Sequence, residues 1–205
     1  IPCHHPSPTM SEPLPPATPL TALAAHSRLV QRLRRRYGDW LAYLPPGAPV
    51  ADSMAVAYAR LREQAGLDVP DALRCLRQCV LERLVVLDCE QGASLADVTR
   101  AVTELAELAL DQACRLAFAD LDGLYGAPQG ENGHRAQLWV IGMGKLGARE
   151  LNVSSDIDLI YVYDEDGEFA SRCNTAMVSM EKVLSVAEQE AQVDRKVWHR
   201  DQADE

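Results

Sequence analysis

Apolar side chains recur every three to four residues over a long stretch of this chain, from Leu20 to about Tyr125. That spacing is typical of helices that bury one face, whereas a half-buried strand alternates every two residues. The interruptions near Pro45, Gly66 and Gly92 are short, so consecutive helices are expected to be neighbours. The pattern predicts a bundle-like helical region over residues 20–130.

Capping and breaking residues indicate where the helices begin and end. Asp52-Ser53 is an expected cap, Pro70 suits a first helical turn, and Ser94 followed by Asp97 approximates a capping box. The expected helices cover residues 20–44, 52–66, 70–92 and 94–121.

Charge and cysteine usage restrict the function classes. Lys and Arg total 20 against 30 Asp and Glu, a net charge of −10, which argues against nucleic-acid binding and favours cations or cation-bridged phosphates as ligands. The absence of a long apolar run or a secretory signal argues against a membrane span and secretion. The six cysteines are then expected to be reduced thiols of a cytoplasmic protein. Cys75 and Cys79 share a helix face and are expected to be buried thiols, because no second pair with zinc-site spacing accompanies them.

Two other polar features carry weaker expectations. Arg32 and Arg34–Arg36 form a basic cluster, interpreted either as a solvated surface near a helix end or as a contact for a phosphate or an acidic partner. His134 follows a loop rich in glycine and is expected to be exposed.

The two ends of the chain differ from the middle. Residues 1–19 hold seven of the twelve prolines and are expected to be a disordered leader, in which Met10 is a candidate initiator. Residues 166–205 are expected to form a divergent polar tail, with a helix at Met177–Ala191.

After a breaker-rich loop at residues 126–133 the pattern changes from helix to strand. Residues 136–141 form a short β run, and residues 157–163 form another, rich in β-branched and aromatic side chains. The predicted fold class is therefore α+β, with the helical region followed by a partial sheet over residues 131–165.

The glycines between the two strands match the spacing of a dinucleotide-binding turn. Gly142, Gly144 and Gly147 follow a strand, and Asp164 lies about twenty residues further on, where a ribose-binding acid is expected. That site also requires a crossover helix, but the interval 145–156 is mostly polar and ends in Ser-Ser-Asp. This interpretation stays open but is disfavoured.

Asp156 and Asp158 support a different interpretation. Residues i and i+2 of a strand point to one face, so both carboxylates are expected to project together. Neighbouring carboxylates repel each other unless a cation lies between them, and Mg²⁺ bound by carboxylates can also hold phosphates. A glycine turn upstream lets backbone amides approach phosphates, and the Ser155 hydroxyl can donate to a phosphate oxygen.

The nineteen residues from Gly142 to Ile160 read GMGKLGARELNVSSDIDLI. They resemble the signature of bacterial glutamine synthetase adenylyltransferases, which are bifunctional adenylyl-transferring and adenylyl-removing enzymes of the polymerase-β-like nucleotidyltransferase superfamily. The helical stretch before the signature also looks like the N-terminal repeat of that family, so that the resemblance covers about residues 20–165.

The resemblance implies the start of a nucleotidyltransferase mixed β-sheet and a specific chemistry. Such enzymes transfer AMP from ATP to a tyrosine of glutamine synthetase and remove it by phosphorolysis, assisted by Mg²⁺, and they respond to glutamine and to the P-II nitrogen-regulatory protein. Family members carry two catalytic units, and this segment resembles the first, the adenylyl-removing unit. Carried onto this sequence, Asp156 and Asp158 are the catalytic metal ligands. Gly144, Lys145, Gly147 and Ser155 are the nucleotide-binding residues.

Two departures from the family pattern affect the expected activity. Ala148 stands where the family usually has a second glycine, which a negative φ would tolerate. The strand that carries the third carboxylate of the family is missing, and Asp194 is only a weak echo of it. We therefore expect a fragment with low activity, and a non-catalytic helical interaction module remains an alternative.

Overall fold

The computed structural model describes residues 22–130 and 132–164. The predicted leader and tail, including the Met177–Ala191 helix and Asp194, lie outside these ranges. The elements in chain order are the helices α1 (Ala22–Ala25), α2 (Arg28–Leu41), α3 (Ala51–Glu63), α4 (Val69–Gln91) and α5 (Leu95–Tyr125), then β1 (Leu138–Gly142), α6 (Gly144–Gly147) and β2 (Leu159–Tyr163).

The ends of α4 and α5 confirm the capping predictions. Ser94 is the N-cap of α5, and its hydroxyl accepts from the Asp97 amide at 3.1 Å and donates to the Asp97 carboxylate at 2.6 Å. Gly92 ends α4 in the left-handed region, with φ of 61°, and Pro70 lies in the first turn of α4. Helix α5 continues to Tyr125, one turn beyond the predicted end at Leu121.

Two helix predictions are wrong. The single helix expected from Leu20 is interrupted after Ala25, because Ser27 caps a new helix by accepting from the Val30 amide at 3.3 Å. Helix α3 has Val50 rather than Asp52 as its N-cap. Ser53 lies inside the first turn, where its hydroxyl accepts from the Val50 amide at 3.0 Å.

Helix α4 is the centre of the helical layer and packs against α1, α2, α3 and α5. Its fully buried stripe includes Leu76 and Val80, which belong to the same hydrophobic cluster as Met54 and Leu61 of α3. The same hydrophobic cluster also includes Leu146 and Leu151, from the segment between the two strands. The helices and the strand region therefore share one core.

The basic cluster on α2 is not uniformly solvated. The Arg34 guanidinium forms an ion pair with Glu82 of α4 at 2.5 Å, and the Glu82 side chain is only 4% exposed. Arg32, Arg35 and Arg36 are exposed, and the Arg36 guanidinium lies over the ring of Tyr37. One of the four arginines thus joins two helices.

The cysteines of the helical region are confirmed as free thiols, and Cys75 and Cys79 are buried. The Cys75 side chain is hydrogen-bonded to that of Cys79, and this contact together with burial raises the pKa of the Cys79 thiol. His134 is exposed, as expected.

The two strands form an antiparallel hairpin in which Leu138 pairs with Tyr163 and Gly142 with Leu159. Strand β2 begins two residues later than predicted, because β1 ends at Gly142 and the regular register of the two strands stops at the Gly142–Leu159 pair. An α+β class is therefore observed, with a two-stranded sheet in the described ranges.

Candidate nucleotide-binding site

The candidate site lies where the chain leaves β1, forms a single helical turn, and returns to enter β2. Backbone pairing of the strands continues past the end of β1, because the Met143 amide donates to the Asp158 carbonyl oxygen at 2.9 Å. The loop that bears both predicted acids is thus tied to the first residue of the glycine turn.

Exposure alternates along the approach to β2. Asp156 and Asp158 are exposed, whereas Ile157 and Leu159 are half-buried and pack against the main core. Such alternation is that of extended backbone with successive side chains on opposite faces. Asp158 precedes β2, whereas the sequence predicts it inside a strand over residues 157–163, and Asp156 precedes the strand in both cases. The alternation agrees with the expected shared face of the two acids.

The glycine turn adjoins the second acid. Gly144 has φ of +52°, a region that residues with a Cβ rarely adopt. A Cβ added there would lie 4.0 Å from an Asp158 carboxylate oxygen, so the bare backbone of Gly144 borders that carboxylate.

A polar chain joins the turn to the residues before the acids. The Lys145 ammonium donates to the Ser155 hydroxyl at 3.3 Å, and this hydroxyl donates to the Asn152 side-chain oxygen at 2.6 Å. Lys145 and Ser155, which are ten residues apart in the sequence, therefore meet.

Gly147 has a different environment from Gly144. A Cβ added at Gly147 would overlap the carbonyl oxygen of Gly142. Its small size therefore allows the turn to pack against the end of β1. The next residue, Ala148, has φ of −76°, a backbone conformation that an alanine tolerates.

A cleft of about 540 Å³ separates the turn from α5. It is lined by Glu107, Leu110, Asp111, Cys114, Val140, Gly142, Leu146, Gly147 and Arg149. Val140 and Gly142 belong to the inner face of the hairpin, and neither Asp156 nor Asp158 lines the cleft. It is separate from the acidic pair.

The donor set at the acidic pair fits a hard divalent cation in part. Carboxylate oxygens are the ligands Mg²⁺ prefers, and Mg²⁺ is commonly held by one or two protein carboxylates together with waters and substrate phosphates. Within the described ranges, no cluster of three or more His, Cys, Asp or Glu residues could hold a metal. Asp156 and Asp158 are therefore not part of a larger group of such residues in the described ranges.

Strand direction argues against the dinucleotide interpretation. A dinucleotide site needs parallel strands with a helix crossing between them, whereas β1 and β2 are antiparallel and α6 is a single turn. Asp164 lies beyond the far end of β2, about 20 Å from Asp158 at the rise of an extended strand. There its carboxylate accepts from the Gln137 amide at 2.8 Å.

Several site contacts come from residues that the sequence motif does not indicate. Thr103, Glu104 and Glu107 of α5 contact Leu151 or Arg149 between the turn and the acids. Nothing in the local sequence singles out Thr103, because it stands beside Glu104 in the stretch Val102–Ala106. The ion pairs of Arg149 span more than forty residues of sequence, and nothing local indicates them.

The chain is thus an α+β protein in which a glycine turn borders a pair of exposed acids. The sequence model of the glutamate-ammonia ligase adenylyltransferase family matches residues 17–189, which is most of the chain. The chain belongs to this family. The match includes residues 166–189, part of the segment that the sequence alone sets apart as a divergent tail.

Curated relatives agree with this assignment. Proteins named bifunctional glutamine synthetase adenylyltransferase/adenylyl-removing enzyme are similar to this chain in Burkholderia mallei (52% identity over 99 residues, 48% of the chain), Ralstonia nicotianae (42% over 151 residues, 70%) and Aromatoleum aromaticum (38% over 170 residues, 78%). The matched part is 11%, 16% and 18% of those relatives. The chain therefore spans less than a fifth of their length.

Among the described residues, no helix is both long enough and apolar enough to span a membrane.

Proposed function

We propose that this chain is part of an enzyme that transfers AMP to glutamine synthetase or removes it, and that residues 131–165 begin a nucleotidyltransferase domain. The observation that supports this most directly is the meeting of Gly144 and Asp158, which sets a bare backbone turn against an acid of the Asp-x-Asp pair. The printed names of the relatives support the substrate protein. P-II as a partner and a cytoplasmic location, favoured by the free thiols, belong to the same proposal.

Asp156 and Asp158 would hold Mg²⁺ through their carboxylate oxygens. When bound, the ion supplies positive charge that offsets the charge of ATP, ADP or inorganic phosphate. Both acids are exposed, so they can be reached by a nucleotide without opening the core.

The turn and its neighbours would position the phosphates. Gly144 keeps the space beside Asp158 free of a side chain, and Lys145 carries a positive charge on the same turn. The Lys145 ammonium donates a hydrogen bond to the Ser155 hydroxyl. A phosphate oxygen placed between the two side chains could accept a hydrogen bond from each of them instead. Gly147 has no side chain, which allows the turn to pack against Gly142 and so helps to keep Gly144 and Lys145 in position.

The test is a calorimetric titration of the 205-residue chain with ATP, with Mg²⁺ and with EDTA in its place. We expect binding with Mg²⁺ that Asp156→Ala or Asp158→Asn removes, and little binding in EDTA. Asp88→Asn, which removes an exposed acid on α4, is the matched control and should bind as the unchanged chain does. If both site variants bind ATP as tightly as the unchanged chain does, the metal-site proposal is refuted.

Activity is tested separately, by AMP release from adenylylated glutamine synthetase with phosphate and Mg²⁺. Because the described residues place two acids at the candidate site and no third acid is grouped with them, we expect little turnover. Robust turnover that Asp158→Asn abolishes would show that the fragment is active after all. Capture of glutamine synthetase that survives loss of both acids would instead favour an interaction module.

A further inference from the structure

The segment from Ala148 to Asp158 carries both acids but has no regular secondary structure. A loop of this kind pairs few of its own backbone groups, so its position depends on contacts with other elements. Beside the contacts of Ser155 with Lys145 and of Asp158 with Met143, the segment contacts one stretch of α5, residues 103–107.

Thr103 makes the first contact. It is fully buried on α5, and its hydroxyl donates to the Thr99 carbonyl oxygen at 2.8 Å. The same hydroxyl oxygen accepts from the Leu151 amide at 3.2 Å. Leu151 is only 3% exposed and belongs to the main core, so this amide would be left without a partner, away from water, if the hydroxyl were removed.

Arg149 makes the second contact, two residues before Leu151. It has φ of +59°, and non-glycine residues in that region are uncommon and need support from their surroundings. Its guanidinium forms ion pairs with Glu107 and, at 3.9 Å, with Glu104. Glu104 in turn accepts from the Ala51 amide at the start of α3, at 2.6 Å.

We propose that Thr103 is a positioning residue for the acidic pair. By holding the Leu151 amide, it sets where the chain leaves the core on its way to Asp156 and Asp158, while Glu107 holds the preceding turn through Arg149. The effect of Thr103 on nucleotide binding rests on the proposed function, whereas its effect on the position of residues 148–158 does not.

The experiment compares Thr103→Val with Thr103→Ser in the full chain. Valine keeps the shape of threonine and removes the hydroxyl, whereas serine keeps the hydroxyl. We measure ATP affinity with Mg²⁺ and hydrogen–deuterium exchange over residues 148–158. We expect Thr103→Val to weaken ATP binding by about fivefold or more, which is the typical effect of one lost hydrogen bond, and to speed exchange in this segment. Thr103→Ser should restore both.

Ser94→Ala is the control for a loss of stability alone, because it removes the N-cap of α5, nine residues before Thr103, and Ser94 makes no hydrogen bond to Arg149 or Leu151. It should lower the Tm without changing ATP affinity or the exchange of residues 148–158. If Thr103→Val changes these two readouts no more than Ser94→Ala does, the positioning role is overturned.

If Thr103→Val does not fold, Glu107→Gln decides the matter from an exposed position. It should speed exchange over residues 148–158, whereas Asp111→Asn, one turn further along and paired with Arg115, should not. Equal exchange in the two variants would overturn the proposal.

If the unchanged chain binds no ATP in Mg²⁺, the proposed function fails and the exchange data alone judge the positioning role. Faster exchange confined to Thr103→Val then supports it, and unchanged exchange refutes it.

Discussion

Gly147 lies so close to the carbonyl oxygen of Gly142 that a methyl group on its Cα would overlap that oxygen. The contact closes the turn between β1 and the loop that bears the acids. A side chain at residue 147 therefore has to push the turn away from the strand end, and backbone atoms give way less easily than side chains.

We expect Gly147→Ala to lower the free energy of unfolding by about 1–3 kcal/mol, the usual effect of overpacking. It should also weaken ATP binding in Mg²⁺, because the displaced turn carries Gly144 and Lys145. Denaturant unfolding and the ATP titration measure the two effects.

Gly123→Ala serves as its control. Gly123 lies in α5 with no atom within 4 Å of an added Cβ, so alanine there should stabilise the helix by about 0.5–1 kcal/mol. If Gly147→Ala lowered the free energy of unfolding no more than Gly123→Ala does, the close packing of the turn against Gly142 would be contradicted.

Lys145 should contribute to nucleotide affinity through its charge. Because its side chain is exposed, Lys145→Gln is expected to leave the Tm nearly unchanged while weakening ATP binding about tenfold, as loss of one charge-assisted hydrogen bond does. Arg32→Gln removes the same charge from an exposed position on α2 and should have little effect. Equal losses in both variants would mean that net charge, rather than the turn, attracts the nucleotide.

The Arg34–Glu82 ion pair should matter for stability. Glu82→Ala leaves the half-buried Arg34 guanidinium without this partner, and we expect the free energy of unfolding to fall by about 3 kcal/mol. The double variant Arg34→Met with Glu82→Leu replaces the pair by apolar side chains and should recover most of the loss. Urea unfolding of both variants decides the point, and a double variant no more stable than Glu82→Ala would contradict it.

The buried thiols predict a loss of stability in alkaline solution. The hydrogen bond with Cys75 and burial raise the pKa of Cys79 above its ordinary value of 9.0. Below that pH the thiol is protonated in both the folded and the unfolded chain, so it does not affect the balance. Above it the unfolded thiol ionises and the folded one does not, which lowers the free energy of unfolding by about 1.4 kcal/mol per pH unit.

Burial also raises the pKa of Cys114 and of Tyr58, so they add to the same trend. Urea unfolding between pH 8 and pH 10.5 measures it, and Cys79→Val should make the decline shallower. A decline with the same slope in Cys79→Val would show that Cys79 takes no part.

Local chemistry made much of the fold predictable. The caps at Ser94 and Gly92 depend on residues within one turn of them, and so both follow from the sequence. The interruption before Ser27 was missed because its apolar neighbours continue the helical spacing on both sides. The start of β2 was misplaced because Asp156-Ile157-Asp158 alternates as a strand does, whereas pairing depends on where β1 ends.

The candidate site divides in the same way. The glycines and the two acids form one continuous motif, and the sequence indicated them together. Thr103 lies 48 residues from its partner Leu151, a contact that only the packed chain brings about. Long-range contacts of this kind have no counterpart in spacing or composition.

The position of Glu104 has a practical consequence for anyone who wishes to shorten this chain. Its carboxylate accepts from the first amide of α3 and pairs with Arg149. A shortened chain that begins after the last residue of α5 would therefore lack both Glu104 and its neighbour Thr103. A minimal expression clone for crystallisation or screening should therefore start upstream of residue 50, because the segment between the strands is held in place by contacts with the helices.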